Sequence, residues 1–338
     1  MNPGDSELER FLKRNNFSFE RIIYTGKHDL LKTTLRIRKL LKKNRPDAVH
    51  THLFDANVAG LTAAWLCRIK KRIHTRHHST YHHLYHPKAI KYDRYVNRIS
   101  TDIIAISGVV KDLLAQKEGV PSKKIHLIHH GFRLKDFTDA SESREKILAD
   151  RYNRSKQNPV IGVIARFTEW KGVQFIIPAY RQLLSQYPNA LLILANAKGE
   201  FEPEIRKLLR GIPEKNYRMV PFENDITNLY QLFDVFVHVP ITPDVEAFGQ
   251  TYVEALASGI PSVFTLSGIA HEFIKDQHNA LVVKYRDSDG ILTAIKRILN
   301  EPEIARTLII NGKNDVNNSF ALAKMVLSLE LLYAERNL

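Results

Sequence analysis

VFVHVP (residues 235–240), then EAFGQTYVEALASGIP (246–261), then PSVFT (261–265) is the stretch that decides how this chain folds. The outer runs are flat and apolar, as parallel strands buried on both faces are. The middle run carries apolar residues at helical spacing behind a Phe-Gly step. Strand, loop, helix and strand make a β-α-β unit, whose right-handed crossover sets the two strands parallel in one sheet. Working outward, the same rhythm predicts strands at 160–166, 190–196, 217–222 and 281–283, and an earlier series at 47–52, 71–77, 102–107 and 124–130. Helical patterns over 28–43, 55–68, 171–187 and 250–258 fall between strands. Repeated units of this kind predict an α/β chain with two doubly wound parallel sheets. Ligands in such sheets bind beyond the carboxyl ends of the strands, so two such domains facing each other would form a cleft.

Length and charge agree with two domains. The chain has 338 residues, 44% hydrophobic and 25% charged, which excludes disorder as its main state. No run approaches the ~20 apolar residues of a membrane span, and MNPGDSELER has no signal-peptide pattern. With Cys67 as the single cysteine, no internal disulfide or Cys-rich zinc site is available, so a reducing cytoplasm is expected. The net charge is +14, and residues 1–130 carry it, with 25 Lys/Arg against 11 Asp/Glu. Twelve of the 15 histidines lie in that same part. A basic face attracts phosphorylated ligands, anionic lipid or nucleic acid. A polar, charged stretch at 134–158, ending in SKQNP, separates the two series.

Two motifs carry chemistry. In the first, the Phe248–Gly249 step opens a helix whose initial backbone N–H groups suit an anionic or polar ligand. Glu246 and Glu254 lie eight residues apart, roughly 12 Å if all of it were helical. That is too far for a glycosidase carboxylate pair, which needs ~5–5.5 Å, and it suits two contacts along one extended ligand. In the second motif, IGVIARFTEWKG (161–172), a buried strand ends at Arg166 and a helix begins at Lys171. A guanidinium fork and a point charge beside a helix start suit a diphosphate.

These stretches resemble the retaining, nucleotide-sugar-dependent glycosyltransferases with the GT-B fold, of the family-4 type (glycosyl transferases group 1). The family's Glu-x7-Glu motif matches at 246–261, and its Arg-x4-Lys-Gly motif matches at Arg166, Lys171 and Gly172. ISGVVKDLL (106–114) resembles a family strand-to-helix turn, and His129-His130-Gly131-Phe132 stands where the family has Asn-Gly-Val. The resemblance covers nearly the whole chain. It implies an N-terminal acceptor-side domain (1–138), a linker (139–158), a nucleotide-sugar domain (159–318) and a helix crossing back to the first domain (319–338). It also implies that the N-terminal domain lacks the family's first β-α unit, so that Phe19–Tyr24 corresponds to a later family strand.

The resemblance further implies roles. Arg166 and Lys171 bind the donor diphosphate, and Glu254 holds the ribose. Glu246 contacts the transferred sugar, with backbone groups at Phe248, Gly249 and Gln250 positioning it. His52 is a catalytic candidate at the end of its strand, and His50 and His77 are acceptor-side candidates. The donor is a nucleoside diphosphate sugar, UDP by family frequency. The acceptor is a glycan or a lipid-linked molecule, reached from the cytoplasm with peripheral contact to an anionic membrane. No cofactor and no metal are expected. The run from His77 to His86 has i,i+4 histidine pairs but no carboxylate close in sequence, so it reads as a wet, aromatic acceptor loop rather than a zinc site. Asp287-Ser-Asp289 reads as a helix cap rather than a metal motif. No P-loop or nucleophile-elbow motif is present, and a nucleic-acid partner is not expected. The competing reading is a catalytically impaired GT-B remnant that binds a nucleotide or nucleotide sugar.

Overall fold

The computed structural model describes residues 6–139, 141–153 and 156–335. Its chain groups into two compact units, Met1–Ile128 with Leu329–Leu338, and His129–Ser328.

The first unit is built on four parallel strands in the order β1-β2-β3-β4: β1 (Ala48–His52), β2 (Lys71–Arg76), β3 (Asp102–Ala105) and β4 (Ile125–Leu127). Helix α1 (Leu30–Asn44) precedes β1, and α2 (Phe54–Leu66) leads from β1 to β2. After β2 come the short α3 (Tyr81–Tyr85) and α4 (Ile90–Ile99). Helix α2 buries Leu61, Ala63 and Ala64 completely. Its Gly60 lets it lie close on β1, because a Cβ there would meet the Thr51 side chain at 2.7 Å.

The second unit holds six parallel strands in the order β10-β9-β8-β5-β6-β7. They are β5 (Val160–Ile164), β6 (Leu191–Ala195), β7 (Tyr217–Val220), β8 (Val235–His238), β9 (Ser262–Phe264) and β10 (Leu281–Val282). Chain order runs outward in both directions from the β5–β8 neighbours, which is the doubly wound pattern, and the reversal marks the expected ligand crevice. Every residue of β5, β6 and β8 is buried. That is why these strands read as flat apolar runs. Helix α5 (Val173–Leu183) follows β5, and α6 (Gln250–Ala257) joins β8 to β9. The chain ends in α7 (Pro302–Phe320) and α8 (Leu322–Ala334), separated by an extended Ala321.

Two expectations need correction. Among the described residues Phe19–Tyr24 forms a single isolated β-bridge, at Ile23, rather than the expected strand. Phe19 and Ile23 stay exposed and Ile22 alone is buried, so the segment has no buried face. The expected linker at 139–158 is largely the helix Glu142–Tyr152, and it falls inside the second unit. That helix buries only Leu148, so its sequence reads as a polar connection. Positions 140, 154 and 155 of that stretch lie outside the described residues, as do 1–5 of the expected first domain and 336–338 of the expected last helix. Among the described residues no helix is long and apolar enough to cross a membrane.

Candidate active site

The candidate residues of the second unit follow the two strands that meet at the β5–β8 reversal. Past β5 the chain runs through an exposed Arg166 into a single 3-10 turn, Glu169–Lys171, and then into Gly172. Gly172 has φ +74, and a Cβ there would sit 1.9 Å from the Val239 carbonyl oxygen. Only glycine lets the β5 loop come this close to the chain leaving β8. Lys171 thereby lies over the Trp170 ring, 4.5 Å from its centroid, and donates to Glu246 Oε1 at 2.5 Å.

Glu246 lies in the loop before α6, not in the helix, so the helical spacing to Glu254 does not apply. Its backbone N–H donates to Ser267 Oγ at 3.2 Å, and Gly268 comes so near that a Cβ would meet the Glu246 Cβ at 2.9 Å. The carboxylate is buried, with His238 Nε2 3.3 Å from Oε1. Burial pushes the Glu246 carboxyl upward, but the Lys171 charge and His238 outweigh it and hold the pKa down to about 2. Burial in turn keeps His238 below the ordinary histidine range and therefore neutral. The result is a largely buried carboxylate–ammonium pair with an uncharged imidazole behind it.

Gly249 caps α6 in the left-handed region, φ +87, with the Tyr252 ring 2.6 Å from where its Cβ would be. The Phe248 side chain is core, ringed by His130, Phe132 and Phe320. Its carbonyl accepts from the Ile269 N–H at 2.9 Å, which fixes the loop. Gln250 is exposed. One turn on, Glu254 accepts from the Tyr230 hydroxyl at 3.0 Å, and burial raises its pKa despite that bond. Glu254, Gln250 and Thr251 form one wall of a cavity of about 380 Å³, with Ile164, Asn196 and Phe222 on other walls. Among the described residues Arg166 pairs with no carboxylate. Lys171, Glu246 and Glu254 thus project from the carboxyl side of one sheet: two opposite charges in contact, and a further carboxylate at a cavity. Such a set can hold an elongated polar ligand with an anionic middle.

Two family models account for this arrangement. The one described as glycosyl transferases group 1 matches residues 145–315, and the one described as glycosyltransferase family 4 matches residues 3–136. This chain belongs to the glycosyl transferases group 1 family. It is a glycosyltransferase with the GT-B fold. It is 24% identical over 319 residues to the capsular polysaccharide biosynthesis glycosyltransferase CapM of Staphylococcus aureus, covering 90% of this chain and 80% of that protein. An Escherichia coli UDP-Gal:alpha-D-GlcNAc-diphosphoundecaprenol alpha-1,3-galactosyltransferase is 22% identical, with coverage of 90% and 79%. Among solved structures, Anabaena HepE in complex with UDP and glucose superposes with a TM-score of 0.85 at 20% identity, covering 98% of this chain and 90% of that one.

In the first unit of this group 1 chain, three of the candidate histidines meet at the carboxyl ends of β1 and β2. His52 Nδ1 lies 3.0 Å from His77 Nε2, and the His50 and His52 rings are 4.3 Å apart. His50 is fixed on both nitrogens, by Thr75 Oγ1 at 2.8 Å and the Tyr333 hydroxyl at 2.6 Å. Burial, reinforced by the neighbouring His52 and His77, lowers the His50 pKa to about 4. Burial lowers His52 as well.

Part of the remaining histidine run departs from expectation, while Tyr85 and His86 at its end are exposed. His82 is buried, and Asp93, eleven residues on, supplies the carboxylate absent from the local sequence, 2.6 Å from His82 Nδ1. His78 lies 3.4 Å from the same oxygen, and Arg76 pairs with the other Asp93 oxygen at 3.0 Å. Arg76 also holds Glu118, so this part is a buried ion network rather than a wet loop. Asp287 accepts from the Gly290 N–H at 2.8 Å and caps its helix. His238 and Tyr230 went unrecognised in the sequence. Both sit inside apolar runs, and the one available signal was that His238 ends a strand at the carboxyl side of a sheet.

Proposed function

We propose that this glycosyltransferase is a retaining enzyme that takes its sugar from a UDP-sugar without a metal and passes it to a glycan or lipid-linked acceptor. The observation that carries this reading is the Lys171–Glu246 pair, on the same side of the sheet as the cavity edged by Glu254. When the donor enters, Lys171 and Arg166 take the diphosphate, Glu246 takes hydroxyls of the sugar, and Glu254 takes those of the ribose. The bond between the anomeric carbon and the diphosphate oxygen breaks, and the electron pair leaves with UDP. The acceptor oxygen then bonds to that carbon on the face the diphosphate leaves, and its proton passes to the diphosphate. Fixed cations and helix N–H groups meet the growing charge, which is what a metal would otherwise do. His52, with His50 and His77 beside it, is assigned to the acceptor side. The UDP-bound HepE and the UDP-galactose-dependent relative support the choice of base.

The test is proton NMR of UDP-glucose hydrolysis by the folded protein, with and without EDTA. Release of the α-anomer first, at the same rate with EDTA, supports the reading. The β-anomer first would overturn retention, and loss of activity with EDTA would overturn metal independence. UDP binding without turnover on any UDP-sugar would support the impaired-remnant reading instead.

A further inference from the structure

A cavity of about 650 Å³ opens beside the carboxyl ends of β1 and β2 in the first unit. Its walls are largely aromatic and aliphatic, with Leu30 of α1, Phe54 and Val58 of α2, Tyr85 of α3 and Tyr92 of α4, and His82 and His86 also line it. Leu30, Val58 and Tyr92 also line a second hollow of about 480 Å³, which continues past Leu31 and Tyr95. Sharing three residues, the two spaces form one groove. Lys27 and Lys88 stand at the first part and Lys91 at the second. All three are exposed, and among the described residues none pairs with a carboxylate. Asp55 is the single carboxylate lining either space.

A bare anion has no use for an aromatic floor of this length, and an uncharged sugar has no use for three unpaired ammonium groups. An amphipathic anion uses both. We propose that this groove binds the acceptor, and that the acceptor carries a long apolar chain on a phosphate or diphosphate. The chain lies on Leu30, Phe54, Val58 and Tyr92, and the phosphate sits at Lys27 and Lys88. This inference rests on the lipid-linked form of the acceptor in the proposed function.

The probe is farnesyl diphosphate below its micellar concentration, measured by equilibrium dialysis with UDP saturating. We expect one molecule per chain, with inorganic pyrophosphate and farnesol each at least about tenfold weaker. Tyr92→Ala and Lys88→Glu should each weaken it by at least about fivefold while UDP binding, measured on the same samples, is unchanged. Lys171→Ala should leave farnesyl diphosphate binding intact. Equal binding of pyrophosphate would reduce the groove to an anion site, and equal binding of farnesol to an apolar one. No binding, or binding lost in Lys171→Ala, would overturn the proposal. If UDP fails to bind but farnesyl diphosphate behaves as described, the donor reading falls and the groove stands.

Discussion

Glu246 is buried against Lys171 and His238, and this environment has measurable consequences. Removing the ammonium in Lys171→Ala leaves a buried carboxylate facing a neutral imidazole. A cost of about 3–5 kcal/mol in urea unfolding follows, larger than that of Glu246→Gln, which removes the charge itself. Because the folded pKa of Glu246 is depressed, its stabilisation is present above the ordinary carboxyl range and is lost as pH falls through about 2. His50 titrates in a higher window. Its folded pKa of about 4 against an ordinary 6.5 means stability is full above pH 6.5 and declines as pH falls toward 4. The decline is worth up to about 3 kcal/mol. Thermal melts of the wild type across that window should fall more steeply than those of His50→Asn, and parallel curves would contradict the assignment. In the candidate site, Arg166 and Lys171 were legible from the end of a buried strand, and Glu246 and Glu254 from the motif they share. His238 was not, since the groups that define it stand at 171 and 246, on separate elements.

At the scale of elements, the tight approach of the β5 loop to the β8 exit depends on Gly172. Gly172→Ala meets both the left-handed φ and a backbone oxygen at 1.9 Å, so it should cost about 3 kcal/mol or more. Gly119→Ala is the control, with φ +68 but nothing within 4 Å, and it should cost only about 1–2 kcal/mol. Equal losses in chemical denaturation would show that the close approach does not matter. All ten strands of the two sheets among the described residues were readable, most plainly β5, β6 and β8, because strands buried on both faces are written as apolar runs bounded by turns. Phe19–Tyr24 misled for a related reason: its aromatic and β-branched residues look like a strand, but Phe19 and Ile23 are exposed. The helix at Glu142–Tyr152 was hidden because it buries a single leucine.

For the whole molecule, the far end of the chain completes its first part. The Lys71 ammonium is buried and donates to the carbonyls of Leu332 and Glu335, the latter at 2.6 Å, while Tyr333 holds His50. Nothing in the sequence pairs Lys71 with residues more than 250 positions away. Truncation after Ser328 strands that ammonium, and the melting of the first unit should drop by several degrees. An unchanged melt would remove this role from the tail. The excess of 25 Lys/Arg over 11 Asp/Glu in residues 1–130 predicts sedimentation with phosphatidylserine vesicles at low salt that fades at high salt. Salt-insensitive sedimentation, or none, would count against an electrostatic contact. Calorimetric titration tests the proposed nucleoside-diphosphate site at Arg166, Lys171, Glu246 and Glu254. UDP should bind the wild type in preference to GDP and ADP, and Lys171→Ala should lose about tenfold or more. A folded wild type that binds none of the three, or a variant that binds UDP as tightly as its parent, would contradict the account.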